Sequence, residues 1–209
     1  MLASALKTKK MLKALNVLIT YRLLCVFDSV IAGEAKLPEI CPNILTREQW
    51  GGRAPEFINY TIFPIDYVII HHTVTPLCAT KESCSRQIRS IQNYQMQAPL
   101  NFGDIGYNFL IGGDGKVYEG RGWHKEGAHT RGYNKNSIGI AFIGTFTDVA
   151  PPLEQLQAAK DLLECGVKLG ELSENYKLYG ARQVKATESP GVKLFKKIMK
   201  WPHFAEPEK

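Results

Sequence analysis

The chain has 209 residues, 44% hydrophobic and 22% charged, which fits one soluble domain plus an extension and excludes a disordered or fibrous chain. Its formal charge is +6, but five of the 26 basic residues and one of the 20 acidic ones fall within the first 32 positions. Residues 33 onward therefore carry 21 positive against 19 negative side chains, with no Lys/Arg cluster, which excludes nucleic acid as a partner.

In chain order, residues 1–32 read as a secretory signal peptide. Lys7, Lys9, Lys10 and Lys13 lead, an apolar stretch runs from Leu15 to Phe27 with Arg22 inside it, and Val30-Ile31-Ala32 offers a cleavage site. The apolar run falls short of the roughly 20 residues of a membrane span, so the expectation is a secreted, extracellular protein. Removal of Cys25 leaves Cys41, Cys78, Cys84 and Cys165. An even set in an exported chain implies two disulfides, for which three connectivities exist. Cys78 and Cys84 are near enough to staple a short loop between a strand and a helix, and Cys41 with Cys165 would then pin the N-terminal segment to a later helix. The sequon Asn59-Tyr60-Thr61 marks a candidate N-glycosylation site.

Residues 33–43 form a loop-like lead, 44–205 the domain and 206–209 a tail. Ile44 to Trp50 opens the domain, and Gly51-Gly52 with Pro55 breaks it. Asp66 to His72 is a β-branched run reading as a buried strand. Lys81–Gln97 has helical spacing, Tyr107–Ile111 is a second strand, and Gly112-Gly113-Asp114-Gly115 turns it into Lys116–Glu119. Ser137–Phe142 is a further strand. A helix from about Pro152 to Leu169 follows, with Leu153, Leu156, Ala159, Leu162, Leu163 and Val167 as its stripe. Tyr176–Tyr179 is a short strand, and Pro190-Gly191 opens a last helix towards Lys200. This alternation predicts an α/β domain, a mixed central β-sheet flanked by helices.

Side chains alternate across a strand, so His71 and Thr73 share one face and His72 points to the other. The glycine-punctuated runs Gly103–Phe109, Glu119–Trp123 and Gly127–Thr130, which include Tyr107, Trp123 and His129, suit a groove wall that a ligand backbone approaches closely.

Together ILTREQWGGRAP, VIIHHTVT, DIGYNFLIGGDGKVYEGRGW, GAHTRGYNKNSIGIAFIGTF, PPLEQLQAAKDLLECGV and LYGARQVKATESPG resemble the peptidoglycan-recognition protein family, related to type 2 N-acetylmuramoyl-L-alanine amidases. The likeness covers nearly all of residues 44–202 in order and is greatest to the short secreted insect members of the SA type. It implies the type 2 amidase-like fold. In catalytic relatives zinc is held by a His matching His71, by a second His, and by a Cys eight residues later, and a tyrosine matching Tyr107 assists the attacking water. Three protein ligands and an open position make a hydroxide at neutral pH. Here Ala181 replaces the second histidine and Ser189 the cysteine, and a serine hydroxyl is a poor ligand beside a thiolate. The expectation is therefore no metal, no cofactor and no amidase activity.

The resemblance further implies a groove that binds bacterial muropeptide, lined by His71, Thr73, Tyr107, His129 and Asn134, with Arg89 as a further wall residue. Family members that prefer lysine-type peptidoglycan tend to carry Asn-Phe where this chain has Asn101-Phe102. A diaminopimelate carboxylate would call for a cation, for which Arg131 and Lys125 are the candidates. Host immune signalling proteins are the implied partners. A rival reading is a serine-dependent carboxypeptidase acting on stem peptides, with Ser189 as nucleophile and His71 as the only base at hand.

Overall fold

The computed structural model describes residues 41–207. The signal-peptide reading over 1–32, and residues 33–40 of the lead, lie outside the described residues. Six strands form one sheet in the order β1-β4-β3-β5-β2-β6, where β1 is Ile44–Leu45, β2 Ile65–His72, β3 Phe109–Ile111, β4 Val117–Glu119, β5 Ser137–Phe142 and β6 Leu172–Gly180. Every pairing is parallel except the β3–β4 hairpin. The helices are α1 (Arg47–Trp50), α2 (Lys81–Met96), α3 (Leu153–Lys168), α4 (Ala181–Val184) and α5 (Val192–Ile198).

Strand β2 lies between β5 and β6, parallel to both. A parallel strand covered on both faces needs apolar side chains in succession, and Val68-Ile69-Ile70 supplies them, each wholly buried. One face packs on α3 and α5, uniting Val68, Ile70, Ile138, Ile140 and Phe142 with Leu156, Leu162, Leu194 and Ile198. The other packs on α1 and α2, joining Leu110, Tyr118 and Ala141 to Trp50, Cys84 and Ile88. Helix α2 begins at Thr80, whose hydroxyl accepts from the Ser83 N–H while Ser83 returns a bond to the Thr80 N–H.

Both expected disulfides are present, Cys41–Cys165 and Cys78–Cys84. The first ties the start of the domain to α3 across 124 residues of sequence, and the second fastens the β2–α2 connection. Several boundaries differ from the sequence reading. Strand β3 starts at Phe109 rather than Tyr107, and β6 runs four residues earlier than the Tyr176 expected. Leu153 is 75% exposed, and the stripe that packs begins at Leu156. No helix among the described residues is long and apolar enough to cross a membrane.

Candidate functional site

The alternation of β2 sends its two histidines to opposite sides. His72 turns to the α3/α5 side, where its Nδ1 accepts from the Phe146 N–H at 3.2 Å. His71 turns to the other face, 4% exposed, with its ring 5.3 Å from that of His129 and 5.4 Å from that of Tyr107. The Thr130 hydroxyl stands between the imidazoles, 3.1 Å from His129 Nδ1 and 3.3 Å from His71 Nε2. A hydroxyl donates one proton and can accept two, so it cannot donate to both rings, and at least one of the two facing imidazole nitrogens carries a proton. His129 Nε2 is buried and lacks a hydrogen-bond partner among the described residues.

Glycines make room for the His129 ring. A Cβ at Gly139, on β5, would stand 2.5 Å from its Cγ, and one at Gly127 2.4 Å from its Cδ2. Asn134 fixes the loop, its Oδ1 accepting from the His129 N–H at 3.1 Å and the Thr130 N–H at 2.8 Å. Burial, reinforced by the charges of Arg121 and Lys185, lowers His129 to about 3. His71 is pushed well below its ordinary value by burial, then by His129, Lys185 and His72. Burial raises Tyr107 to about 12. The cluster is thus a neutral, desolvated set of donors and acceptors at neutral pH.

Beside it, β2 and β6 align Ile70 with Gly180, so Ala181 follows directly at the end of β6 next to His71. Ala181 is fully buried and offers only a methyl group. Ser189 is 9% exposed, and its Oγ accepts from the His72 backbone N–H at 3.0 Å. No group of three or more His, Cys, Asp or Glu among the described residues could hold a metal ion. No hydrogen bond joins His71 to Ser189 among the described residues; His71 Nε2 meets the Thr130 hydroxyl, and Ser189 Oγ meets the His72 N–H.

Residues 62–192 match the N-acetylmuramoyl-L-alanine amidase family. Peptidoglycan-recognition protein 1 of Holotrichia diomphalia is 54% identical over 167 residues, spanning 80% of this chain and 84% of that one. The chain belongs to the peptidoglycan-recognition protein family. Its fold agrees with the solved structure of the Drosophila family member SA, with a TM-score of 0.78 at 51% identity over 80% of this chain and 97% of that one. It also agrees with a chain of the complex in which tracheal cytotoxin is bound to the ectodomains of family members LCa and LCx, with a TM-score of 0.76 at 50% identity, covering 78% and 98%.

In this peptidoglycan-recognition domain the other sequence-selected residues divide. Thr73 follows β2 and is half-buried; its Oγ1 accepts from the Gly144 N–H at 3.0 Å and lies 2.7 Å from Thr75 Oγ1. Asn101 is exposed with φ of +48°, and its N–H donates to the Gln97 carbonyl. Phe102 is half-buried, its carbonyl accepting from Arg121 Nη2 at 2.8 Å. Arg131 is exposed beside Thr130, and Lys125 is half-buried in the preceding loop. Arg89 is half-buried on α2, and its Nη1 donates to the Trp50 carbonyl at 2.8 Å, which fastens α2 to the end of α1.

Sequence reasoning passed over the residues that hold the loops. Arg47 on α1 makes a two-pronged pair with buried Asp104, at 2.8 and 2.6 Å, and Gln92 donates to the same carboxylate at 2.8 Å. Arg121 gathers the carbonyls of Phe102, Ile105 and Glu126. Together they set the 101–107 loop against the 126–130 loop. The Arg47 and Asp104 pairing joins positions 57 residues apart and leaves no local pattern. Thr130 was visible only as the neighbour of His129.

Proposed function

We propose that this protein is a secreted, non-catalytic receptor that binds bacterial muropeptide and passes the signal to host immune proteins. Zinc chemistry of the kind amidase relatives use needs three protein ligands and one open position. The observation that carries the non-catalytic part is the state of the two positions beside His71. Ala181 has no donor atom, and the Ser189 hydroxyl is engaged by the His72 N–H. The residues present do not fit a zinc ion.

Binding is supported by the cluster itself. A buried His129 Nε2 without a partner is a group that a ligand amide or hydroxyl would satisfy, and leaving it unmet is costly. Tracheal cytotoxin, bound by the similar LCa–LCx complex, is a monomeric diaminopimelic acid-type peptidoglycan. For this chain the favoured ligand is the lysine type, on the strength of Asn101-Phe102. Those residues occupy the loop that Arg121 ties to the carbonyls of Ile105 and Glu126, on the approach to Tyr107. Export rests on the reading of residues 1–32.

The test is incubation of purified protein with defined lysine-type and diaminopimelate-type muropeptides, followed by calorimetry and mass spectrometry. Binding with intact ligand is the expected result. Release of the stem peptide from muramic acid would overturn the non-catalytic reading. Loss of a C-terminal stem residue, abolished by Ser189→Ala, would establish the carboxypeptidase reading instead.

A further inference from the structure

The segment before β2 has a fixed backbone and uncovered side chains. The Glu56 N–H donates to the Gly103 carbonyl at 2.8 Å, the Asn59 carbonyl accepts from the Glu126 N–H at 2.8 Å, and the Thr61 N–H donates to the His124 carbonyl at 3.0 Å. Tyr60 forms an antiparallel bridge with Lys125. Yet Phe57, Ile58, Tyr60, Ile62 and Phe63 are between 41% and 71% exposed. Five of the twelve large apolar side chains exposed among the described residues thus fall within seven consecutive positions. Exposed apolar side chains gathered in this way mark a surface that something covers.

Its centre carries the sequon Asn59-Tyr60-Thr61. The backbone pairing uses the Asn59 carbonyl and leaves its side chain exposed. Thr61 is 7% exposed, and its hydroxyl donates to the Lys135 carbonyl. Phe57 is positioned two residues before the asparagine, against Gly103, where a Cβ would stand 2.2 Å from its Cε1. The weakly positive C–H face of a sugar packs on the negative face of an aromatic ring.

We propose that Asn59 carries an N-linked glycan whose core sugars lie over the apolar rim of Phe57, Tyr60, Ile62 and Phe63 and keep it from self-association. The inference rests on the secretory reading, because the lumen of that pathway supplies the lipid-linked oligosaccharide diphosphate. In the transfer, Asn59 Nδ2 forms a bond to the anomeric carbon of the first N-acetylglucosamine. The bond from that carbon to the diphosphate oxygen breaks, the lipid diphosphate leaves, and the amide gives up one proton. The buried Thr61 hydroxyl is out of an enzyme's reach once the domain has formed, so transfer precedes folding. A branched glycan rooted in the middle of the patch leaves no flat area for a protein partner.

The experiment expresses the full chain in a eukaryotic secretory host and maps the Asn59 peptide by mass spectrometry in both medium and lysate. The expected result is an oligosaccharide on Asn59 in the secreted protein. Enzymatic deglycosylation, or Asn59→Gln, then raises apolar-dye fluorescence and self-association several-fold. Thr61→Ser keeps the sequon, the bond to Lys135 and the glycan. Secreted protein with bare Asn59 overturns the glycan while leaving export standing, and so does bare protein that dimerises through the rim. A chain retained in the cytosol overturns export and the glycan together. A glycan whose removal changes neither dye binding nor self-association overturns its role as a cover.

Discussion

The hydroxyl of Ser189 accepts a hydrogen bond from the backbone N–H of His72, 3.0 Å away and 117 positions distant in sequence. That bond draws the segment after α4 onto the end of β2, while the β2–β6 register brings Ala181 beside His71. Position 181 thus neighbours 71 across the sheet, and position 189 is fastened to the residue that follows 71.

Rebuilding the two missing ligands tests this convergence. Ala181→His with Ser189→Cys should bind zinc at about one ion per chain, since three protein ligands then face one point. The His72 N–H would donate to the thiolate, the kind of outer contact that supports a metal ligand. Each single change should retain little zinc. Equilibrium dialysis with elemental analysis reads the result, and a double variant that binds none would show that the three positions do not share a site.

Gly139 is a second point of leverage. It pairs with Ile69 inside the sheet, so its backbone cannot retreat from a Cβ placed 2.5 Å from His129 Cγ. Gly139→Ala should cost about 1–3 kcal/mol by overpacking and should weaken muropeptide binding by displacing the ring from Thr130. In a His129→Ala background the same change should cost much less. Denaturant unfolding of the four proteins supplies the double-mutant cycle.

Stability should fall on acidification. His129 titrates at about 3 in the folded protein against an ordinary value of 6.5, and His71 shifts in the same direction. Above 6.5 both states are neutral and contribute nothing. Below it the unfolded chain takes up protons that the folded chain refuses, so stability drops with falling pH down to the folded value. Between about pH 7.5 and about pH 5 the loss from His129 alone is on the order of 2 kcal/mol. His129→Gln should flatten that slope, which chemical denaturation across the range will measure.

Specificity should follow the 101–102 pair. Asn101 has φ of +48°, so a glycine there meets no backbone penalty, and Asn101-Phe102→Gly-Trp should fold. It should narrow or reverse the preference for lysine-type over diaminopimelate-type muropeptide. An unpaired, desolvated carboxylate costs on the order of 1–3 kcal/mol, or roughly ten- to hundredfold in affinity. Phe102→Ala should weaken the lysine type alone. Calorimetry with ligands differing only in that carboxylate decides it; equal affinities for the unmodified protein would move the assignment to Arg131.

The sequence by itself determined what short-range periodicity encodes. The β-branched run at 66–72 specified a buried strand, and its period of two sent His71 and His72 to opposite faces. The stripe from Leu153 to Val167 specified α3, and the Cys78–Cys84 spacing matched a local staple. Ala181 and Ser189 were legible through resemblance as departures from a ligand set. What the tertiary structure decided is what depends on partners far away in the chain. Ile44-Leu45 is too short to read as a strand and becomes one by pairing with Val117-Tyr118. The bond from Arg89 to the Trp50 carbonyl joins two helices across 39 positions. Leu153 belongs to the stripe by spacing but is left exposed. The Thr130 bridge, the Arg47–Asp104 pair and the hold of His72 on Ser189 each join residues more than fifty positions apart. Hydrogen bonds over such distances leave no period in the sequence, because each partner's neighbours are chosen for packing where they stand.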